Sequence, residues 1–292
     1  MIAMGVELPE PTYLTVDGVA VATWVLGPTA GAVDDVVMCH GTPWSAQVWA
    51  GIAHHLSRDR RVFLWDMPGY GRSIDPGAPL DLATQMARFA QLQTLWGASR
   101  PHIVAHDIGG AVALGAHLLH GSEYKSLFLW DIVTLDPWGS PFFRLVADNA
   151  AVFERLPAAL HTALVREYIA GAGNHLLSDE WLDRLCRPWI DEVGQTTFYR
   201  QIAALRPEHT RPLVDRLSKV RCRTRVGWGA DDPWIPVEQA GRLRELLPDD
   251  PEVVVLDGVG HLAPVQAPTE VGAAISDWLA LLHTGGDAHR RR

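Results

Sequence analysis

The stretch Ala105-His106-Asp107-Ile108-Gly109-Gly110 ends the apolar run His102-Ile103-Val104 and opens a helical pattern carrying Ala111, Val112, Leu114 and Leu118. A strand that turns sharply into a helix leaves no room for bulky side chains beside the turn, so small residues flank its centre. The turn lifts the central side chain out of the sheet and sets backbone N–H groups and a helix N-terminus next to it. Asp107 occupies that centre, where a nucleophile would be well served. An aspartate ahead of a helix also reads as a plain N-cap, so the rest of the chain must decide between the two.

Outward from this turn, short apolar runs alternate with helical patterns. Val36-Val37-Met38-Cys39 stops at His40-Gly41, Val62-Phe63-Leu64-Trp65 at Asp66, and Leu127-Phe128-Leu129-Trp130 at Asp131. Thr224-Arg225-Val226-Gly227-Trp228 and Val253-Val254-Val255-Leu256 resume the pattern near the end. Continuous apolar runs separated by helices predict strands buried on both faces, hence a mostly parallel sheet in an α/β domain. Ligands of such sheets bind outside the carboxyl ends of the strands, where each of these runs meets polar or glycine-rich residues. Ahead of them, residues 13–16 and 19–26 flank Asp17-Gly18, a hairpin signal of the type I′ kind.

From residue 132 to 214 the strand pattern lapses. The segment reads as several helices, dense in aromatic residues, with breaks at residues 171–173, Pro188 and Pro207. The simplest arrangement is a helical cap of residues 132–214 over a core made of residues 1–131 and 215–292. Two further polar residues then fall at strand ends, Asp232 in Gly229-Ala230-Asp231-Asp232 and His261 in Gly258-Val259-Gly260-His261. The order nucleophile, acid, histidine is that of an α/β-hydrolase triad, and three such residues in sequence outweigh the N-cap reading of Asp107.

The chain of 292 residues is 48% hydrophobic and 20% charged, with a formal net charge of −9. That composition is globular, and its sign is wrong for nucleic acid or an anionic membrane. The basic run at residues 290–292 reads as a frayed tail. Three widely spaced cysteines, Cys39, Cys186 and Cys222, suggest neither a disulfide framework nor a zinc site, and fit a reducing, cytoplasmic setting. No secretory or membrane-spanning segment is legible. His54-His55 and His117 with His120 lie on helical patterns without partners and read as surface or packing residues.

These motifs together resemble the α/β-hydrolase superfamily, in the branch of epoxide hydrolases and haloalkane dehalogenases that uses an aspartate nucleophile. The resemblance runs from about residue 13 to 282 and rests on five stretches. They are His40-Gly41-Thr42-Pro43, residues 66–73 (Asp-Met-Pro-Gly-Tyr-Gly-Arg-Ser), the Asp107 turn, Gly229-x-x-Asp232 and Gly260-His261. It implies a twisted sheet flanked by helices, with an inserted cap. It also implies an alkyl ester on Asp107, hydrolysed by water that His261 activates with Asp232 as its partner. The backbone N–H groups of Thr42 and Ile108 would form the oxyanion hole. Asp131 occupies the place where some members carry the acid and stands as the alternative to Asp232.

Departures from the family pattern narrow the reaction. Ile108 stands where haloalkane dehalogenases have a tryptophan for the halide, and Thr42 where they often have asparagine. The arginines that clamp a small carboxylate after the nucleophile are missing from Gly110-Ala111-Val112-Ala113-Leu114. Thr197-Phe198-Tyr199-Arg200 is similar to the segment that carries a cap tyrosine in epoxide hydrolases, which makes Tyr199 the expected proton donor. A phenol with a pKa of about 10 is protonated at neutral pH and can donate to an opening oxirane. The early cap lacks the second donor between Leu145 and Phe153, and Tyr168 reads as a helix-face residue. The expected pocket comprises His40, Pro43, Trp138, Phe142, Trp181 and Trp189.

The leading expectation is therefore an epoxide hydrolase taking a small apolar or aromatic, even bulky, substrate, as monomer or homodimer. It would use no metal and no cofactor, and would bind neither nucleic acid nor membrane. A haloalkane-type dehalogenase and a non-enzymatic ligand-binding protein on the same fold are the alternatives.

Overall fold

In the computed structural model the described residues are 2, 5–75 and 77–289, with the side chains of 284–289 left out. The basic run at 290–292 lies outside them. Eight strands form one sheet: β1 (Thr12–Val16), β2 (Val19–Leu26), β3 (Asp35–Cys39), β4 (Arg61–Trp65), β5 (His102–His106), β6 (Ser126–Trp130), β7 (Arg223–Gly229) and β8 (Val253–Leu256). Their order is β1-β2-β4-β3-β5-β6-β7-β8, antiparallel through β1-β2-β4 and parallel from β4 to β8. Asp17 and Gly18 both have positive φ, 51° and 78°, as a type I′ connection between β1 and β2 requires.

The helices are α1 (Ala50–Leu56), α2 (Leu82–Trp96), α3 (Ile108–Leu119), α4 (Pro141–Phe153), α5 (Ala158–Ala172), α6 (Asp179–Cys186), α7 (Glu192–Ala204), α8 (Arg211–Val214), α9 (Glu238–Leu246), α10 (Ala263–Gln266) and α11 (Pro268–His289). Strands β5 and β6 are buried along their whole length, so both faces of the sheet are covered. That is why their sequences are continuously apolar rather than alternating. α2 packs on α3, and α1 on α11.

Helices α4 to α8 lie between β6 and β7, with no strand among them. Polar residues start several of these helices. Ser140 Oγ accepts from the Phe143 N–H at the head of α4, and Asp191 Oδ1 accepts from the Gly194 N–H at the head of α7. α4 packs on α7, and α5 on α6. The helical segment is tied to the sheet domain along a polar seam. The Trp189 indole donates to the Pro43 carbonyl, Asn174 Nδ2 to the Asp231 carbonyl, and the His261 N–H to the Ala172 carbonyl at 3.0 Å.

The turn after β5 is steric as well as hydrogen-bonded. A Cβ built on Gly109 would lie 2.4 Å from the His40 carbonyl oxygen, a backbone atom that cannot rotate away. We expect Gly109→Ala to destabilise the protein by about 1–3 kcal/mol, the usual cost of overpacking. An unchanged urea midpoint would show that this approach of α3 to β3 is not tight.

Candidate active site

Asp107 sits at φ 52°, ψ −127°, a conformation few non-glycine residues adopt. Its backbone is held from three sides. The Asp107 N–H donates to the Trp130 carbonyl, and the Asp107 carbonyl accepts from the Gly110 and Val133 N–H groups. Its side chain makes no cap bond to α3. It reaches instead toward β3, where the Thr42 N–H donates to Asp107 Oδ1 at 2.6 Å. Gly41 permits this approach, since a Cβ there would fall 2.3 Å from that of Asp107.

His261 follows β8 and brings Nε2 to 3.3 Å from Asp107 Oδ2. Its Nδ1–H donates to Asp232 Oδ2 at 2.7 Å. Asp232 Oδ1 in turn accepts from the Trp234 and Ile235 N–H groups at 2.7 and 2.9 Å, which fixes the carboxylate in the turn after β7. His106 Nε2 lies 2.7 Å from the His261 carbonyl and steadies the loop from below.

Burial sets the charges of this group. Desolvation pushes the Asp107 carboxyl upward, but the adjacent His261 and the Ile108 N–H outweigh it and hold the acid below its ordinary value. Desolvation pulls His261 down, while the carboxylates of Asp232 and Asp107 lift its pKa well above the usual imidazole value. Both shifts favour an Asp107–His261 ion pair. Asp131, fully buried at the end of β6, is raised well above an ordinary aspartate by burial and by the charge of Asp232. Its Oδ1 accepts from the Gly229 N–H, and its Oδ2 has no partner among the described residues. Asp232, not Asp131, holds the His261 hydrogen bond.

A small cavity of about 30 Å³ opens onto Asp107. Thr42, Ile108, Val133, Trp138, Ser140, Phe143, Tyr168, Trp234 and Ile235 are among its lining residues. Five of the six expected pocket residues do not line it. His40 is buried, with Nε2 accepting from the Met67 N–H. Pro43 and Trp189 are bonded to each other, indole to carbonyl, in the seam. Trp181 faces a separate surface recess with Leu176 and Gly258. Phe142 stands one shell back, its ring 5.0 Å from that of Tyr168. Trp138 does line the cavity, with its indole N–H committed to Thr210 Oγ1.

Tyr199 requires the largest correction. It is buried inside the cap, and its hydroxyl lies 2.8 Å from His161 Nδ1. His161 Nε2 lies 2.8 Å from the Trp189 carbonyl, which can only accept, so Nδ1 is the acceptor for the Tyr199 proton. Two positions along α7 turn a side chain by about 200°, so Tyr199 and Gln201 leave the helix on opposite sides. Gln201 faces the core, where its Oε1 accepts from Thr42 Oγ1 at 2.7 Å.

Tyr168 takes the place beside the nucleophile. It lines the cavity from α5, stacked on Trp234 with ring centroids 4.6 Å apart. Burial raises its phenol strongly, and the nearby Asp107 charge raises it further. The sequence did hold a signal for it. Val165, Ile169 and Ala172 mark the buried face of α5, and Tyr168 stands on that face. Trp234, two residues beyond Asp232, was also missed.

A family model described as "Alpha/beta hydrolase family" matches residues 36–274. The chain belongs to the α/β-hydrolase family. An α/β-hydrolase fold protein from Burkholderia ambifaria shares 40% identity with this hydrolase at a TM-score of 0.88, over 92% of this chain and 98% of that one. A 2-hydroxy-6-oxo-2,4-heptadienoate hydrolase of Pseudomonas putida is 26% identical over 86% of this chain and 90% of its own length. A haloalkane dehalogenase of Bradyrhizobium elkani shares the fold, with a TM-score of 0.75 at 17% identity, over 94% of this chain and 98% of its own. No helix among the described residues of the hydrolase is long and apolar enough to cross a membrane.

The charge arrangement is testable without a substrate. Removing the Asp107 charge takes away one of the two carboxylates that lift His261, so its pKa must fall. In Asp107→Asn, histidine NMR should show His261 titrating at lower pH than in the wild type. An unchanged midpoint would mean that the two side chains are not paired in solution.

Proposed function

We propose that this hydrolase acts through an ester on Asp107 and opens a small apolar or monoaryl epoxide to a diol. The observation that carries this reading is an ionised carboxylate at the elbow, facing a cavity that contains a phenol. Oδ1 already lies on the Thr42 N–H, where negative charge would develop during hydrolysis. The nucleophilic oxygen is therefore Oδ2, which faces His261 Nε2 at 3.3 Å. It would attack an oxirane carbon as the C–O bond breaks, and the departing alkoxide would take the Tyr168 proton.

Ester formation removes the Asp107 charge, and with it part of what keeps His261 protonated. His261 then releases its proton and becomes a base. It deprotonates a water that attacks the ester carbonyl carbon, and the oxyanion is held by the Thr42 and Ile108 N–H groups. Collapse expels the diol oxygen, which takes the proton from His261; the carboxylic acid left on Asp107 carries the second water proton and passes it to His261, which restores the ion pair. Tyr168 regains its proton from solvent. Asp131 would take no part while Asp232 holds His261.

Epoxide is favoured over halide because two lining donors that could hold a halide are already engaged. The Trp138 N–H goes to Thr210 and the Thr42 hydroxyl to Gln201. The cavity is small, about 30 Å³, which favours a small substrate over the bulky one that the aromatic-rich cap suggested.

Intact-mass analysis of His261→Gln after exposure to an accepted epoxide should show a covalent adduct on Asp107, and Asp107→Asn should lose turnover by about 10⁴-fold or more. Tyr168→Phe should lower kcat about 10²-fold or more, the usual scale of general acid catalysis. Tyr199→Phe should cost less than about tenfold on the same scale. Halide release from haloalkanes without diol formation would favour the dehalogenase alternative. Ligand binding that survives Asp107→Asn, with no wild-type turnover, would favour a binding protein.

A further inference from the structure

Gln201 crosses from the cap into the core domain and is fully buried there. Its Oε1 accepts two hydrogen bonds, from Thr42 Oγ1 at 2.7 Å and from Tyr70 Oη at 2.8 Å. Its Nε2 is buried without a partner among the described residues. An orphaned amide nitrogen opposes folding, so the acceptor end must do something that an apolar residue could not.

We propose that Gln201 is a positioning residue that sets the Thr42 backbone donor on the nucleophile and withholds the Thr42 hydroxyl proton from the Asp107 carboxylate. The inference rests on the reading of Thr42 as an oxyanion donor. Thr42 is gripped at both ends: its N–H reaches Asp107 Oδ1 at 2.6 Å, and its hydroxyl is anchored 2.7 Å from the cap amide. A hydroxyl has one proton to give. With that proton on Gln201, Thr42 offers only lone pairs to the cavity.

Tyr70 is fully buried and gives its proton to the same oxygen, which holds the acceptor end of Gln201 in place. Remove the amide oxygen, and the Thr42 hydroxyl is released beside the carboxylate that its own N–H already holds. A carboxylate that accepts extra hydrogen bonds is a poorer nucleophile, and the Thr42 N–H loses its tether. The cap thereby reaches the reacting carboxylate without touching the substrate.

The first test needs no substrate. Amide hydrogen exchange at position 42 should quicken at least tenfold in Gln201→Met, which keeps the side chain's length and loses the acceptor. Gln201→Glu keeps an acceptor oxygen and should restore slow exchange. Thr42→Val removes the other half of the contact and should quicken the same amide even if Gln201→Met does not fold. Single-turnover ester formation should slow at least tenfold in Gln201→Met and recover in Gln201→Glu, with KM changing by less than twofold. Unchanged exchange in Thr42→Val, or Gln201→Glu behaving like Gln201→Met, would overturn the proposal. Altered exchange in a protein that opens no epoxide would sink the reaction proposed above and leave the role of Gln201 standing.

Discussion

His261 lies buried between two carboxylates, and the rest of the architecture serves that placement. An imidazole buried alone would lose its proton, and a buried aspartate would gain one. Together each stabilises the charged form of the other. The arrangement needs three strand ends to converge within hydrogen-bonding distance, which a parallel sheet provides by putting its carboxyl ends on one edge. It also needs a third carboxyl, Asp131, to stay neutral so that negative charge does not accumulate.

The sheet and the elbow were legible because burial on both faces leaves no freedom in the composition of β5 and β6. Gly41 and Gly109 mark where backbone and nucleophile approach, and the order Asp107, Asp232, His261 follows the chain. Choosing Asp232 over Asp131 rested on motif rather than physics. Both follow buried strands, and only the turn that presents the Trp234 and Ile235 N–H groups to Asp232 sets them apart.

The cap was less legible for a reason that lies in helices themselves. A strand's two faces alternate with the sequence, whereas a helix in a small cap can present any sector to the core. Tyr199 has the right neighbours and the wrong phase: its side chain turns into the cap and ends on His161. Tyr168 was passed over as a helix-face residue, and the face in question is the one that meets the nucleophile. The tryptophans divide in the same way. Trp189 spends its N–H on the seam, while Trp234, outside the cap altogether, forms part of the cavity wall.

One bond in that seam bears on how the cap moves. The carbonyl of Ala172, at the end of α5, accepts from the backbone N–H of His261. A cap that swung away as a rigid body would drag on the histidine it is meant to cover. Movement of α5 at that point is therefore felt at the catalytic base itself, because the two share a backbone bond rather than a side-chain contact.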